Sequence, residues 1–205
     1  MKDKHSAHKP KISVIMSAYN SEKYIVESIE SILRQTLNDF EFIIIEDAST
    51  DSTRSIIEKY AKQDGRIKTI YNKKNIGYLG FIRNLNKGLK IAKGKYIARM
   101  DADDISMPKR FETEYNFLEK NKDIFLIGCG AIIINKNGEE LSEFNPICDE
   151  NKLSKIIQEG GKIYHPTIMF RNTKLFFYRE KAMYCEDFDF FLNLVTNGSV
   201  EILYK

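Results

Sequence analysis

The chain has 205 residues, with 32 Lys and Arg against 29 Asp and Glu, and a formal net charge of +3. This length suits one globular domain with a sizeable core, and the small net charge lacks the basic footprint typical of nucleic-acid-binding proteins. No apolar run approaches the roughly 18–20 residues needed to cross a bilayer, and the N-terminus lacks the apolar segment of a signal peptide, so we expect a cytoplasmic protein.

The first half of the chain alternates between strand and helix patterns. Residues 1–10 are polar and predict a flexible tail, with weak contact to an anionic membrane as the alternative. Branched apolar runs predict strands at 12–16, 42–45, 67–71 and 96–98. Between them, apolar residues at helical spacing predict a helix starting at Ser21, a second around 56–61, and a third around 82–92 that stops near Gly94. This alternation favours an α/β fold with a mostly parallel, Rossmann-like sheet flanked by helices.

The strand ends of such a sheet are where ligands bind. The segments expected to gather there are 17–20, 46–49 and 101–104. The first of these has no glycine, which argues against a dinucleotide-binding loop, and no Walker-type phosphate loop occurs anywhere. Asp47 could accept hydrogen bonds from a nucleobase or belong to a cluster that caps the next helix, and spacing alone favours neither interpretation.

Three carboxylates crowd the end of the fourth strand, at Asp101, Asp103 and Asp104. Because alternate residues of an extended chain point the same way, Asp101 and Asp103 could reach one metal ion while Ala102 packs elsewhere. Oxygen ligands favour Mg²⁺ or Mn²⁺. The alternative is a solvated turn that caps a helix beginning near Pro108, which would be preferred for an isolated Asp-X-Asp.

The second half of the chain is mixed. A helix with Phe111, Tyr115 and Leu118 on one face precedes a hairpin predicted from residues 126–134 and 141–144 around an Asn-Gly turn. A short helix around 153–157, a strand at 163–170 and a last helix at 188–195 follow. Cys129, Cys148 and Cys185 are odd in number and widely spaced, so we expect free thiols. We predict a single domain over residues 11–205.

A series of segments in this order resembles the family 2 glycosyltransferases, which carry the GT-A fold. The resemblance runs over roughly residues 11–198. It rests on 12–20, 44–51, 75–77 with Arg83-Asn84, 94–97 leading into 101–104, His165-Pro166-Thr167, and Glu186-Asp187-Phe188-Asp189. It implies a nucleotide-binding half at 11–104 and an acceptor-binding half at 105–205. Members of the family commonly continue past the base helix, so a sequence ending at Lys205 is compatible with a truncated acceptor half and with a natural short form. Glu46 departs from the family pattern, which often has Asp there.

The resemblance implies roles for individual residues. The donor-binding residues would be Ser17, Ala18, Tyr19, Asp47, Arg83, Asp101, Ala102, Asp103 and Asp104. Among them, Asp47 would face the base, and Arg83 would lie near the base or the diphosphate. Asp103, assisted by Asp101, would hold Mn²⁺ or Mg²⁺ as cofactor, and Asp104 would orient the sugar or ribose.

Asp187 would be the catalytic base that takes a proton from the acceptor hydroxyl. Phe188, Phe190 and Phe191 could give it a partly dry wall that raises its pKa. Without the upstream motifs, Glu186 and Asp187 would instead be interpreted as a first-turn pair complementing a helix dipole. His165 is equally compatible with a structural role and with contact to phosphate or acceptor.

The function implied is inverting transfer of one sugar from a nucleotide-sugar, most simply a UDP-sugar, to an acceptor hydroxyl. The acceptor would be a glycan or lipid-linked glycan of a surface polysaccharide or lipopolysaccharide, reached by peripheral association at the inner face of the plasma membrane. The alternative is a non-catalytic nucleotide-sugar-binding or partner subunit. A sugar-phosphate nucleotidyltransferase would need a glycine-rich loop after strand one, and an Asp-X-Asp phosphatase would carry its aspartates there; neither is present.

Overall fold

A computed structural model describes residues 8–144, 163–195 and 199–202 of the chain. Its strands are β1 (Ile12–Ala18), β2 (Phe40–Glu46), β3 (Ile67–Tyr71), β4 (Tyr96–Arg99), β5 (Ile124–Gly128), β6 (Ala131–Ile134), β7 (Glu140–Phe144), β8 (Met169–Arg171) and β9 (Ser199–Ile202). Its α-helices are α1 (Ile25–Leu33), α2 (Thr53–Gln63), α3 (Tyr78–Ile91), α4 (Arg110–Lys120) and α5 (Glu186–Val195). Short 3₁₀ turns lie at His165–Thr167 and Glu180–Ala182.

The central sheet has seven strands in the order β3-β2-β1-β4-β8-β5-β9. Strands β1 to β4 are parallel to one another, whereas β8 is antiparallel to both of its neighbours. Strands β6 and β7 form a separate antiparallel hairpin. The fold is therefore α/β with a mostly parallel sheet and a mixed C-terminal half, as the sequence predicts.

Alternating side chains of β1 divide the core between the two faces of the sheet. Ile12, Val14 and Met16 pack in one cluster with apolar residues of α1, α2 and α4. Ile15 packs in a second cluster with residues of α3, β8 and α5. Because both faces are covered, β2 is buried along its whole length, and its middle residues, 42–45, are a continuous apolar run rather than an alternating one.

The predicted strands and helices of the first half are all present. The first helix begins at Ile25 rather than Ser21, because residues 21–24 form a turn in which the Tyr24 backbone N–H donates to the Ser21 carbonyl, 2.9 Å away. The fourth helix begins at Arg110, two residues beyond Pro108. The last helix begins at Glu186, which adds two acidic residues to the predicted span.

Two predictions for the second half are wrong in detail. The hairpin does not include residues 126–128, since these belong to β5 in the central sheet and only β6 and β7 pair around Gly138, whose φ is 82°. Residues 163–170 are not one strand. Pro166 has no N–H to give to a sheet, and the chain makes a 3₁₀ turn before β8 begins at Met169.

The remaining predictions concern the tail, a short helix, the cysteines and membrane-spanning segments. The short helix around 153–157 and Cys148 lie outside the described residues, as do residues 1–7 of the tail. Cys129 and Cys185 are free thiols. Within the described ranges no helix has the length and apolarity needed to cross a membrane.

Candidate functional site

The carboxyl ends of β1, β2 and β4 meet at one edge of the sheet. Register fixes this, because Ala18 pairs with Glu46 and Ile15 pairs with Arg99. The Met100 backbone N–H then donates to the Ile15 carbonyl, 3.1 Å away. The loops that follow the three strands are thereby brought together, as the sequence predicts for an α/β sheet.

The loops after β1 and β2 are cross-linked to each other. The Asp47 backbone N–H donates to the Ala18 carbonyl at 2.9 Å, and the Asn20 side-chain oxygen accepts from the Thr50 backbone N–H at 2.9 Å. Asn20 and Ala48 both have positive φ, 47° and 58°. Such backbone conformations are uncommon outside glycine and persist where surrounding contacts hold them. The two loops therefore form one preorganised surface, from which the ring of Tyr19 extends half-exposed.

Asp47 is buried at the centre of a hydrogen-bond network. Its side-chain oxygens accept from the side-chain amides of Asn72 and Asn75, the latter at 2.8 Å. Asn72 also donates to Asn84 at 2.7 Å, and Asn84 donates to the Ser17 hydroxyl at 3.1 Å. Ser17 and Asp47 are thus joined through α3. Asp47 does not cap α2. The Thr53 backbone N–H at the start of α2 instead donates to the Asp51 carboxylate.

The loop that carries the three aspartates is held from beneath. The buried Arg99 guanidinium pairs with the Asp101 carboxylate and donates to the Met100 carbonyl, and the Ser28 hydroxyl of α1 donates to the Asp101 carbonyl at 3.0 Å. Ala102 is buried, as expected from the alternation, and Asp103 is exposed. The loop is therefore anchored at Met100 and Asp101, and it presents Asp103 to solvent.

Negative charge is crowded along this loop. Burial raises the pKa of Asp104 to about 6, and the charges of Asp101 and Asp103 add to the effect. Carboxylate oxygens of this kind suit a hard divalent cation. Among the described residues, no group of three or more His, Cys, Asp or Glu side chains is arranged as a ready metal cage. The donor set fits a cation that takes only one or two ligands from the protein, as Mg²⁺ and Mn²⁺ do at phosphate sites.

The start of α5 carries the predicted base. Asp187 is half-buried, and its side chain accepts from the Phe188 backbone N–H at 2.7 Å. Its neighbour Glu186 is buried and accepts a 2.6 Å hydrogen bond from the Tyr78 hydroxyl of α3. Phe190 and Phe191 are buried in the core, and Phe188 packs partly buried against it. The effect of these rings on Asp187 stays a prediction.

His165 is buried beside this region and forms a 2.6 Å hydrogen bond with the Tyr178 hydroxyl. Burial, assisted by the nearby Arg99 charge, lowers the His165 pKa well below its usual value. Burial also raises the pKa of Tyr178, with Glu186, Asp101 and Asp187 contributing. The charges of the aspartate loop and of the start of α5 therefore both act on the Tyr178 hydroxyl.

Arg83 is placed differently from its predicted neighbours. Its guanidinium is exposed and makes two hydrogen bonds, 2.8 and 3.0 Å, to the Glu180 carboxylate. The structure therefore brings together Ser17, Ala18, Asp47 and the 101–104 loop, while Arg83 pairs across to the segment that leads into α5.

Sequence reasoning gave no role to several residues that shape the site: Asn72, Asn84, Arg99, Tyr78 and Tyr178. Arg99 carried a usable signal, since it is a charged residue directly after the apolar run 96–98, whereas Asn84 lies off the predicted apolar face of the third helix and carried none. Tyr78 and Tyr178 carried none, because an aromatic residue near a helix end or in a loop is ordinary.

Comparison with known proteins identifies the family. The family model described as glycosyl transferase family 2 matches residues 13–184. An uncharacterized glycosyltransferase of Methanocaldococcus jannaschii, MJ1057, is 41% identical over 92% of this chain and 66% of its own length. The O-antigen biosynthesis glycosyltransferase WbnJ of Escherichia coli is 37% identical over 90% of this chain and 71% of its own length.

Solved structures agree with the sequence relatives. S. aureus TarS, residues 1–349 in complex with UDP, superposes with a TM-score of 0.74 at 25% identity, covering 95% of this chain and 60% of that one. The chain thus spans about 60–70% of the length of these relatives. With a matching family model over most of its length and the corresponding sheet and loops in place, this chain belongs to glycosyl transferase family 2 and has the GT-A fold.

Proposed function

We propose that this chain transfers one sugar from a UDP-sugar to an acceptor hydroxyl, with inversion at the anomeric carbon. The observation that carries the proposal is the arrangement of the Ser17–Asp47 network and the 101–104 loop at one sheet edge, with the start of α5, which bears Asp187, joined to α3 by the hydrogen bond from Tyr78 to Glu186. S. aureus TarS, which has the same fold, was solved with UDP and with UDP-GlcNAc. These complexes support a uridine nucleotide as donor.

In the proposed donor site, Asp47 accepts hydrogen bonds from the base, and Ser17, Ala18 and Tyr19 line the nucleoside pocket. Asn72 and Asn75 fix the Asp47 carboxylate so that it keeps one orientation before the nucleotide arrives. A carboxylate oxygen can accept more than one hydrogen bond, so both bonds are compatible with a base N–H. Arg83 reaches the nucleotide only after exchanging its Glu180 partner.

The aspartate loop would hold the diphosphate through a divalent cation. Asp103 is the exposed ligand, and Asp101 assists from its position beside Arg99. When bound, Mn²⁺ or Mg²⁺ would neutralise charge on the departing diphosphate. Arg99 keeps the Asp101 carboxylate in place, and Asp104 contacts the sugar or ribose.

Asp187 acts on the acceptor. It takes the proton from the acceptor hydroxyl as that oxygen bonds to the anomeric carbon, while the bond from that carbon to the UDP oxygen breaks on the opposite face. One displacement of this kind inverts the anomeric centre. The relationship to WbnJ, an O-antigen biosynthesis glycosyltransferase, supports a role in surface polysaccharide or lipopolysaccharide synthesis. The acceptor that we propose is a glycan or lipid-linked glycan on the cytoplasmic side of a membrane.

Calorimetric titration of UDP, GDP and dTDP, each with and without Mn²⁺, tests the donor part of the proposal. We expect selective UDP binding that tightens with Mn²⁺. Absence of binding by all three nucleotides would contradict it. Nucleotide-sugar binding without any transfer, in a protein of full natural length, would instead favour a non-catalytic binding subunit.

A further inference from the structure

Tyr184 combines three unusual properties close to the proposed base. Its side chain is 74% exposed, and its backbone has a φ of 72°, a conformation that costs free energy for a bulky residue. Its ring stacks on that of Tyr78 with centroids 4.6 Å apart and an angle of 31° between the planes. A single exposed aromatic residue is common, but one held outward by a strained backbone against a second ring is not.

The ring beneath Tyr184 is itself fixed. Tyr78 donates its hydroxyl hydrogen to the buried Glu186 carboxylate at 2.6 Å, and its other neighbour is Phe81, 5.7 Å away between centroids. Tyr78 is therefore held at both its hydroxyl and its ring. The outward face of Tyr184 then has a rigid support, and we call the two rings the tyrosine platform.

The tyrosine platform belongs to the acceptor side of the site. Glu186, which holds Tyr78, is adjacent to Asp187, and Asp187 contributes to the raised pKa of Tyr78 behind the larger effects of burial and the Glu186 bond. On the donor side, Asn75 links Asp47 to the start of α3. Its amide donates to Asp47, and its side-chain oxygen accepts from the Gly77 backbone N–H at 2.7 Å. The platform hydroxyl thus points to α5 and not to the Asp47 pocket.

An aromatic face of this kind suits one face of a sugar ring. The ring face carries partial negative charge, and a pyranose presents C–H groups with partial positive charge on a face while its hydroxyls lie around the edge. With Glu186 buried and bonded to Tyr78, Asp187 is the carboxylate at the start of α5 that the edge hydroxyls of a sugar on the platform would approach. Ligand sites generally combine an apolar surface with a few fixed polar groups in this way.

We propose that the tyrosine platform binds a pyranose ring of the acceptor, with Tyr184 in direct contact and Tyr78 as its support. This inference rests on the proposed function. It adds a specificity-determining surface to the site and predicts that the reacting acceptor unit is a hexopyranoside with an accessible C–H face.

The chain contains no tryptophan, so single Tyr→Trp variants give fluorescence reporters at chosen places. Tyr184→Trp reports on the platform, Tyr19→Trp on the donor pocket, and Tyr24→Trp, half-exposed before α1, serves as the matched control. Each protein, with UDP and Mn²⁺ present, is titrated with the methyl glycosides of glucose, galactose, mannose and N-acetylglucosamine. We expect at least one glycoside to change the Tyr184→Trp emission saturably, with no change in Tyr24→Trp.

Saturation-transfer NMR gives a second readout on proteins without tryptophan. The bound glycoside should show transfer to the C–H groups of one ring face in the wild type and in Tyr184→Phe. Tyr184→Gly removes the ring yet adopts a positive φ without strain, so it should fold and bind about tenfold more weakly. Unchanged affinity in a folded Tyr184→Gly protein would overturn the inference.

The remaining outcomes separate this inference from the proposed function. If UDP alone shifts Tyr184→Trp as strongly as Tyr19→Trp, the platform contacts the nucleobase and the inference is wrong. If Tyr19→Trp responds to UDP while no glycoside affects Tyr184→Trp, the inference is wrong and the donor site stands. If UDP neither changes the Tyr19→Trp emission nor binds the wild-type protein by calorimetry, the proposed function is contradicted and the inference falls with it.

Discussion

Residues packed around Asp47 determine how much room its carboxylate has to bind the nucleobase of the donor. Gly80, in the first turn of α3, lies directly beneath this carboxylate: a Cβ added there would stand 3.1 Å from Asp47 Oδ2 and 3.0 Å from the Ile76 side chain. These contacts are tighter than usual but involve movable side-chain atoms. The glycine thus leaves the Asp47 carboxylate free to keep the orientation set by Asn72 and Asn75.

Gly80→Ala should therefore weaken UDP binding more than it affects stability. Displacement of the Asp47 side chain by a few tenths of an ångström should cost about tenfold in affinity, measured by calorimetry. Alanine favours the helix by about 1 kcal/mol over glycine. This gain should offset the destabilisation from crowding, so the thermal midpoint should change little. Gly88→Ala is the control, because its Cβ would stand 2.6 Å from Ile15 and should lower the midpoint instead. Unaltered UDP affinity in Gly80→Ala would contradict the assignment of Asp47.

Asp187→Asn should abolish most transfer while leaving the donor site intact. Loss of a positioned base typically slows a reaction by about 10²–10⁴-fold, and asparagine keeps the size of the side chain. The measurement is the rate of sugar transfer together with the UDP dissociation constant. Asp189→Asn, on the same helix but paired with Arg179, is the matched control and should retain activity. Undiminished transfer by Asp187→Asn would exclude it as the base.

Strand patterns alone placed Asp47 and the 101–104 loop at strand ends, where the structure has them, whereas Asp187 was singled out by the family resemblance and lies in the first turn of α5. The roles of these residues stay predictions. Sequence reasoning could not place Tyr78 against Glu186. These residues are 108 positions apart, and their contact depends on how α3 and α5 pack on one face of the sheet. It also placed Arg83 by resemblance, whereas its bidentate pairing with Glu180 depends on the path of a loop without a regular pattern.

At the scale of elements, α4 fastens the aspartate loop to the second half of the sheet. Arg110 donates to the Arg99 carbonyl at 3.0 Å and to the Ile168 carbonyl at 3.3 Å, and it pairs with Glu114 one turn along the helix. One oxygen of the buried Glu114 carboxylate has no partner among the described residues. Burial raises the Glu114 pKa to about 7 despite the neighbouring arginine.

This carboxyl should give the stability of the fold a distinct pH dependence. Between its ordinary value of 4.5 and about 7, Glu114 is protonated in the folded state and ionised in the unfolded state. The unfolding free energy therefore falls as pH rises through this range, and the loss levels off above pH 7. Glu114→Gln should remove this fall, which we expect to be on the order of 1 kcal/mol. The unfolding free energies of both proteins are measured by chemical denaturation at pH 5 and pH 7. An equal change between the two pH values in wild type and Glu114→Gln would contradict the role of Glu114.

Element prediction succeeded for β1 to β4 and α1 to α3 because regular alternation of strand and helix leaves few arrangements open. It was less successful where that alternation stops. Whether residues 126–128 pair with β6 or with β8 is decided by tertiary packing and not by their apolar pattern. The strand β9 was not predicted, since four residues following a helix carry too little signal.

Across the whole molecule, donor binding should appear as added thermal stability. A ligand present at 100 times its dissociation constant stabilises the folded state by about 2.7 kcal/mol, which corresponds to about 5–10 °C for a domain of this size. We expect UDP with Mn²⁺ to raise the midpoint by this amount, measured by calorimetric scanning.

Asp103→Ala should lose the manganese-dependent part of this increase and keep the rest. Its unliganded midpoint should match that of the wild type, because Asp103 is exposed. Asp123→Ala, an exposed carboxylate just before β5, is the control and should show the full increase. An equal effect of Mn²⁺ on the wild type and on Asp103→Ala would exclude Asp103 as a ligand.

The antiparallel strand β8 also has a consequence for synthesis of the protein. It supplies the second neighbour of β4, with Ala98 opposite Met169, yet it follows β4 by a long stretch of chain. During translation at about 5–20 residues per second, β4 emerges several seconds before its partner. Over that interval the nascent sheet presents an open strand edge next to the aspartate loop, so completion of the donor half awaits the acceptor half leaving the ribosome.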